Sequence, residues 1–471
     1  MNAHEPLVDE GDAEVLAPQE VLREFENINA CAPMVRYGKL PFRMLASEYE
    51  THLVWTPMML AAEFSRSQIA RDSDFSTNAF ERGTFFLEEK HFNPAAVQEW
   101  DAAPEPRGVH STATRQRRRR KVRGRLIIQF AANDPVHLAD AAELARPFVD
   151  GIDLNCGCPQ RWAFQEGIGC ALLRKPETVR DLVRATKQRL GWDFPVSVKI
   201  RVDDDLSITN ELVSTIIAAG ADILTVHGRT RHQSSSGFPV NLDAIAFAAS
   251  CAKGAVPVVA NGDVFSKEDA EETRRRTGVQ GVMAARGLLA NPVRLFSPAY
   301  GQTMPNPFLH PGFVRGLRQD PLLRHSSTST PLPRLPPVPA YPALSVSQRF
   351  ITLSTSHGLL FPLFHRHMAY MLESRFANRK DRVYFNSLAS YAGVLDWCEE
   401  NLPGTDGAGS TAYLLQIRFP PHLYAGEPTN TKATSCPALS EPSSVAIRLA
   451  PMRDSAGRSE GGRPRRVEAS D

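Results

Sequence analysis

The densest chemistry in the chain is the run Asn155-Cys156-Gly157-Cys158-Pro159, followed closely by Gly167, Gly169 and Cys170. A thiol just beyond a strand end can act as acid, base or nucleophile. A cysteine is more often a small buried filler, so the reading depends on what positions it. Cys156 and Cys158 could form half of a metal site, but no second Cys or His pair has suitable spacing, and no metal is expected. A second set is His227-Gly228-Arg229-Thr230, Asn261-Gly262-Asp263 and Ala285-Arg286-Gly287. Each alone is an ordinary turn. At successive strand ends they would gather backbone amides and an arginine where a phosphate can bind.

Eight short apolar runs can hold these residues: 30–35, 53–58, 126–131, 151–155, 196–202, 223–227, 256–261 and 281–285. Helical patterns such as 135–148 and 177–189 separate them. The runs are mostly continuous rather than alternating, as strands covered on both faces should be. Strand and helix in alternation predict an α/β fold, and eight repeats predict a (β/α)8 (TIM) barrel over 28–300. A doubly wound sheet would carry a glycine-rich turn after its first strand, which ACAPMVRYGK does not supply. Gln129, Asn155, Lys199, His227, Asn261 and Arg286 then fall at or near the C-terminal strand ends, where barrel enzymes act.

Other stretches lie off this pattern. Residues 1–27 form an N-terminal segment, and 86–124 interrupt the barrel, ending in the basic run 115–125. That run is equally an arm for RNA or nuclear targeting and a solvated insertion. Ten prolines between Pro305 and Pro342 exclude a continuous helix or central strand from 301–345. Both insertions read as disordered. Residues 346–401 read as a small C-terminal helical domain, clearest over 361–401, and 402–471 as a disordered tail. His365 and His367 read as a packed or RNA-facing pair rather than metal ligands.

The chain is 42% hydrophobic and 23% charged, the balance of a soluble globular protein. A net charge of +2 does not announce a nucleic-acid binder, so local charge must be weighed instead. Seven cysteines, an odd number in a long chain, argue against a secreted disulfide framework. The acidic N-terminus lacks an apolar core, so neither signal nor transit peptide is read. No membrane span is expected. These features predict an intracellular protein, cytoplasmic and, through the basic run, open to the nucleus; a monomer is expected, though the sequence does not itself set the oligomeric state.

The segments APMV, IIQF, DLNCGCPQ, VKIR, VHGRT, VVANGD and ARGLLANP resemble the tRNA-dihydrouridine synthase family. CAPMVRYGK with NCGCPQRWA most resembles the eukaryotic branch acting on D-loop positions 20a and 20b. The likeness covers about 28–84 and 125–300, and more loosely 347–401. It implies FMN as cofactor, NADPH or NADH as reductant, and tRNA as partner and substrate. By the same resemblance Pro33, Met34 and Val35 lie beside the flavin, and Gln129, Lys199 and His227 hydrogen-bond it. Asn261, Gly262, Asp263, Ala285 and Arg286 match its phosphate end. Cys158 matches the catalytic acid, and Asn155 and Arg229 fall to the substrate. The helical domain would grip tRNA through Arg366, Arg375, Arg379, Lys380 and Arg382. The chemistry is consistent: hydride addition at uracil C6 leaves carbanion character at C5, which a thiol on the opposite face can protonate. Two competing readings are an FMN barrel acting on a small metabolite and an RNA-binding relative without catalysis. The NCGCP run and helical appendage oppose the first; intact Cys158, Lys199 and Arg286 oppose the second.

Overall fold

The computed structural model describes residues 13–93, 97, 119–292 and 344–401. The expectations for 301–343 and 402–471, and for most of 94–118, lie outside the described residues.

Eight parallel strands close into a barrel: β1 (Ile28–Cys31), β2 (Leu53–Trp55), β3 (Leu126–Ala131), β4 (Gly151–Cys156), β5 (Val196–Arg201), β6 (Ile223–His227), β7 (Val258–Asn261) and β8 (Gly281–Ala284). Each pairs with the next, and β8 returns to β1 with Gly281 opposite Ile28. The predicted runs match these strands, with ends trimmed by proline. Pro33, Pro57 and Pro257 lack the N–H that a ladder needs, so β1, β2 and β7 are shorter than their apolar runs. Helices cover the outside. The helix Pro176–Leu190 turns Val179, Leu182, Val183, Thr186 and Leu190 inward, a spacing of three and four. The helix Pro135–Ala145 begins where Asp134 accepts from the backbone of Val136 and His137, both at 2.9 Å.

The register stacks polar side chains inside the barrel. Gln129 lies opposite Asp153 and Asp153 opposite Ser197. One step higher, Asn155 faces Lys199. Higher still, Arg201, His227 and Asn261 fall in one row. Paired residues of parallel strands share a face, so the upper barrel is lined by polar layers.

The described part of the N-terminal segment, from residue 13, packs against the barrel. The helix Pro18–Glu24 buries Val21 and Leu22, and Phe25 follows it inward. A Cβ on Gly281 would come within 2.7 Å of Leu22 Cδ2, so the start of β8 is packed directly against this helix.

The insertion is likewise partly folded. Glu14–Val15, Arg119–Arg123 and Phe85–Glu88 form a three-stranded sheet. The basic run was expected to be a solvated insertion or an RNA arm, but its described half is structural. Val122 is fully buried, Arg120 pairs with Glu14 and Glu24, and Arg125 lies 4.4 Å from the centroid of Phe85. Arginine stems cover apolar surface and guanidinium groups favour ring faces, which is how five basic residues in seven positions become a strand and its exit.

The C-terminal region is four helices, Leu344–Ser356, Phe361–Met371, Arg379–Ser387 and Tyr391–Asn401. Phe364 stacks on Tyr391 at 4.3 Å and Phe385 meets Trp397 at 4.9 Å. No helix among the described residues is long and apolar enough to cross a membrane.

Candidate active site

Cys158 sits two residues past β4 and is held from both sides. Its N–H donates to Asn155 Oδ1 at 2.9 Å, and its carbonyl accepts from Cys170 N–H at 3.0 Å. Gly169 makes the second contact possible. Its φ is +62°, and a Cβ there would stand 2.7 Å from the Cys158 carbonyl oxygen and 2.8 Å from its Cβ. Cys158 is partly exposed, whereas Cys156 is fully buried within the hydrophobic core. Alternation along β4 sets Cys156 on the face opposite Asp153 and Asn155. Burial pushes the Cys158 thiol above its ordinary pKa, against the Gln160 backbone N–H and the Arg201 charge. The thiol is therefore protonated at neutral pH, as a proton donor must be.

Beneath Cys158 lies a buried chain of side chains. Asn155 Nδ2 donates to Gln129 Oε1 at 2.8 Å, and Gln129 Nε2 donates to Asp153 Oδ2 at 2.7 Å. Ser197 donates its hydroxyl proton to Asp153 Oδ1. Lys199, next to Asn155 in the register, is buried and makes no hydrogen bond among the described residues. Burial and Arg201 depress its pKa to about 8, partly offset by Asp153. An unpartnered buried ammonium is a place for an anionic or electron-rich group.

The residues expected at the phosphate end lie together at the ends of β7 and β8. Asp263, at φ 50°, accepts from Arg286 Nη2 at 2.8 Å and from Val240 N–H at 2.9 Å, and also pairs with Arg229. Asn261 Nδ2 donates to Met283 O at 3.0 Å, joining β7 to β8. Gly287 lets the helix Arg286–Ala290 touch the loop after β7, since a Cβ there would lie 2.2 Å from Val264 O. Ala32 N–H donates to Ala284 O at 2.9 Å, which brings the Pro33–Met34–Val35 loop beside Ala285 and Arg286. Met34 is buried, Pro33 half-buried and Val35 exposed.

Arg229, expected at the substrate, is instead 1% exposed. Its Nε donates to Phe238 O at 2.8 Å and its Nη1 to His227 Nε2 at 3.1 Å, while Asp263 takes the remaining side. It braces His227 and Asp263, with each of its three nitrogens engaged and the side chain turned away from the surface. A guanidinium only donates, so His227 Nε2 accepts and the ring proton sits on Nδ1. Burial and the charges of Lys199, Arg201, Arg229 and Arg286 hold His227 well below its ordinary pKa, so it is neutral.

Three residues of the site escaped the sequence reading. Asp153 and Ser197 lie deeper in their strands than Asn155 and Lys199, on the same faces, and nothing in their own runs marks them out. Arg201 holds Gly157 O at 3.1 Å and Thr230 O at 2.9 Å, bracing the Cys158 loop. Its signal was present: two cations two apart on a buried strand must share the inner face. His365 and His367 are packed, the former donating to Phe385 O at 2.9 Å and the latter to Tyr37 O at 2.6 Å. Among the described residues no three His, Cys, Asp or Glu side chains converge as metal ligands do.

The sequence model of the family described as Dihydrouridine synthase (Dus) matches residues 104–307. The chain is 39% identical over 374 residues to a Schizosaccharomyces pombe protein named tRNA-dihydrouridine(20a/20b) synthase, covering 79% of this chain and 87% of the relative. It is 36% identical over 388 residues to a Mus musculus protein named as similar to that synthase, covering 82% and 92% of the two chains. The Homo sapiens counterpart is 34% identical over 388 residues, covering 82% and 94%. Identity at this level, sustained over most of each chain, means that this protein belongs to the dihydrouridine synthase family.

Proposed function

We propose that the chain reduces uridines of the tRNA D-loop, at positions 20a and 20b, to 5,6-dihydrouridine, using FMN with NADPH or NADH as reductant. The observation that carries this reading is the protonated, partly exposed Cys158 thiol standing at the barrel mouth, above the buried Lys199, which makes no hydrogen bond among the described residues. Similarity to the 20a/20b synthases supports the choice of substrate.

The residues present fit a flavin. Lys199 offers a buried positive charge that makes no hydrogen bond among the described residues, suited to an electron-rich ring edge. Arg286, with Asn261, Gly262, Asp263 and Ala285, would take the phosphate; Gln129 and His227 would meet the ring, beside Pro33, Met34 and Val35. When bound and reduced, FMN supplies the hydride that enters uracil C6. Asn155 would orient the flipped base, and Cys158 would give its proton to C5. Arg366, Arg379 and Lys380 are exposed on the helical region and would meet tRNA phosphates, with Arg375 beside them. Arg382 has its charge engaged by Glu373 at 2.7 Å and would contribute less.

The test is spectroscopic. The purified chain should be yellow, and its reduced flavin should be reoxidised without oxygen by unmodified tRNA but not by free uridine. A colourless protein, or a flavin indifferent to tRNA, would sink the proposal.

A further inference from the structure

We propose that Asp153 is a positioning residue for this reaction: its carboxylate fixes the direction of a hydrogen-bond chain running through Gln129 and Asn155 to the backbone N–H of Cys158. The inference rests on the proposed role of Cys158 and adds to it a residue that touches neither substrate nor cofactor.

The chain has two ends of fixed polarity. At one end the N–H groups of Gly157 and Cys158 can only donate, at 3.1 and 2.9 Å from Asn155 Oδ1. At the other end an ionised carboxylate can only accept, 2.7 Å from Gln129 Nε2. Between them stand two amides, each of which could be turned either way. Only one orientation of each joins the ends, with Asn155 Nδ2 donating to Gln129 Oε1 at 2.8 Å. Turning either amide sets oxygen against oxygen and nitrogen against nitrogen. Asp153 is fully buried, Gln129 is 1% and Asn155 7% exposed, so water cannot repair a mismatch. Each amide also has a second N–H proton and a second lone pair. The direction held from both ends, with Asp153 anchoring the buried one, therefore decides where Gln129 and Asn155 present a donor to the base or the flavin.

The surroundings of Asp153 suit this task. From β5 the Ser197 hydroxyl donates to it, and the Lys199 charge favours its ionised form. From β3 it meets the uncharged Gln129 and from β2 the indole of Trp55, while the Cys156 thiol on its own strand lies on the opposite face. Burial nonetheless raises its pKa to about 6. Above that value the carboxylate is an obligate acceptor. Below it the carboxyl can also donate, and the direction of the chain is held from the Cys158 end alone.

The test measures oxidation of the reduced holoenzyme by tRNA, without oxygen, from pH 5 to 8.5. The wild type should lose rate below about pH 6. Asp153→Asn should lose that acid limb and run about tenfold slower at pH 7.5, as small misplacements of reacting groups do. Its new amide keeps the bond to Gln129 only by turning its nitrogen to Ser197. Gln129→Glu sets carboxylate against carboxylate and should be slower still. The double variant D153N/Q129E moves the single carboxylate one place along and restores every donor to an acceptor. It should react about tenfold faster than Q129E alone, a coupling of the sign expected when two groups share one chain. A double variant no faster than Q129E would overturn the proposal, as would an acid limb that persists in D153N. Should these variants fail to fold, Ser197→Ala removes a bond that holds the carboxylate ionised and should move the limb to higher pH; an unmoved limb again overturns it. A wild type without flavin, or inert to tRNA, would instead overturn the function proposed above.

Discussion

Two side chains, Cys158 and Lys199, carry the chemistry proposed for the site, and each carries its own prediction. Cys158→Ala should leave flavin bound and reducible by NADPH, because neither event needs a thiol. Oxidation of the reduced flavin by tRNA should fall by roughly 10²–10⁴, the usual loss for a positioned acid. Cys156→Ala should alter stability more than rate, since Cys156 is fully buried in the core. A severe rate defect in C156A with C158A unimpaired would exchange the two roles. Lys199 predicts an opposition between stability and binding. Its folded pKa is about 8, below the ordinary 10.5, so the fold binds its proton less tightly than the unfolded chain does. The resulting penalty is complete below about pH 8 and is relieved as pH rises from there towards 10.5. Lys199→Met should therefore raise the Tm of the flavin-free protein at pH 7, with the gain shrinking over that alkaline window. The same variant should lose flavin on gel filtration. Unchanged flavin content would remove Lys199 from the cofactor site.

At the scale of the elements, the loop after β4 depends on one close approach. Gly169→Ala would drive a methyl group into the Cys158 backbone and impose a left-handed φ on a side chain. It should cost about 1–3 kcal/mol by thermal or denaturant unfolding. It should also slow the tRNA half-reaction while flavin remains bound; wild-type rates would show that the loop relaxes freely. The strands that frame this loop were legible because doubly covered strands must be apolar runs, and β3 and β6 end where their runs end. The elements that escaped are those whose residues obey tertiary demands. Arg119–Arg123 carries four basic residues around Val122 and forms a strand only because Glu14, Glu24 and the ring of Phe25 receive Arg120. In the site, Gln129, Asn155 and Lys199 could be singled out by type and place at strand ends. Asp153 could not, because nothing in the sequence tells which polar residue of a strand will find partners on its neighbours. Arg229 was misassigned for the same reason: HGRT fixes its position in the chain but not the inward turn towards Asp263.

In the molecule as a whole, the helical region and the barrel are joined at the loop expected to flank the flavin. His367 is fully buried, stacks on Phe42 at 4.9 Å and lies 4.8 Å from Phe350. It donates to the carbonyl of Tyr37, two residues after Val35, and Tyr37 also meets Tyr370 edge to face. Burial holds its pKa at about 3, so the ring is neutral throughout the working range and acts as a fixed joint rather than a pH switch. A second tie, Arg349 to Glu48 at 2.6 Å, is more exposed and contributes less. The helical region thus does two separable things: it braces the loop that carries Tyr37 from within and offers Arg379 and Lys380 outward. His367→Ala should destabilise the protein by about 2–4 kcal/mol, from lost packing and an unpaired carbonyl. It should also weaken flavin retention, because the loop behind Met34 loses its support. Arg379→Ala with Lys380→Ala should leave stability and flavin content unchanged. That pair should raise the KM for tRNA and flatten its dependence on salt, because fewer phosphates are neutralised. If H367A kept its flavin while R379A/K380A lost theirs, the helices would brace the cofactor from their outer face, and the division of labour drawn here would be reversed.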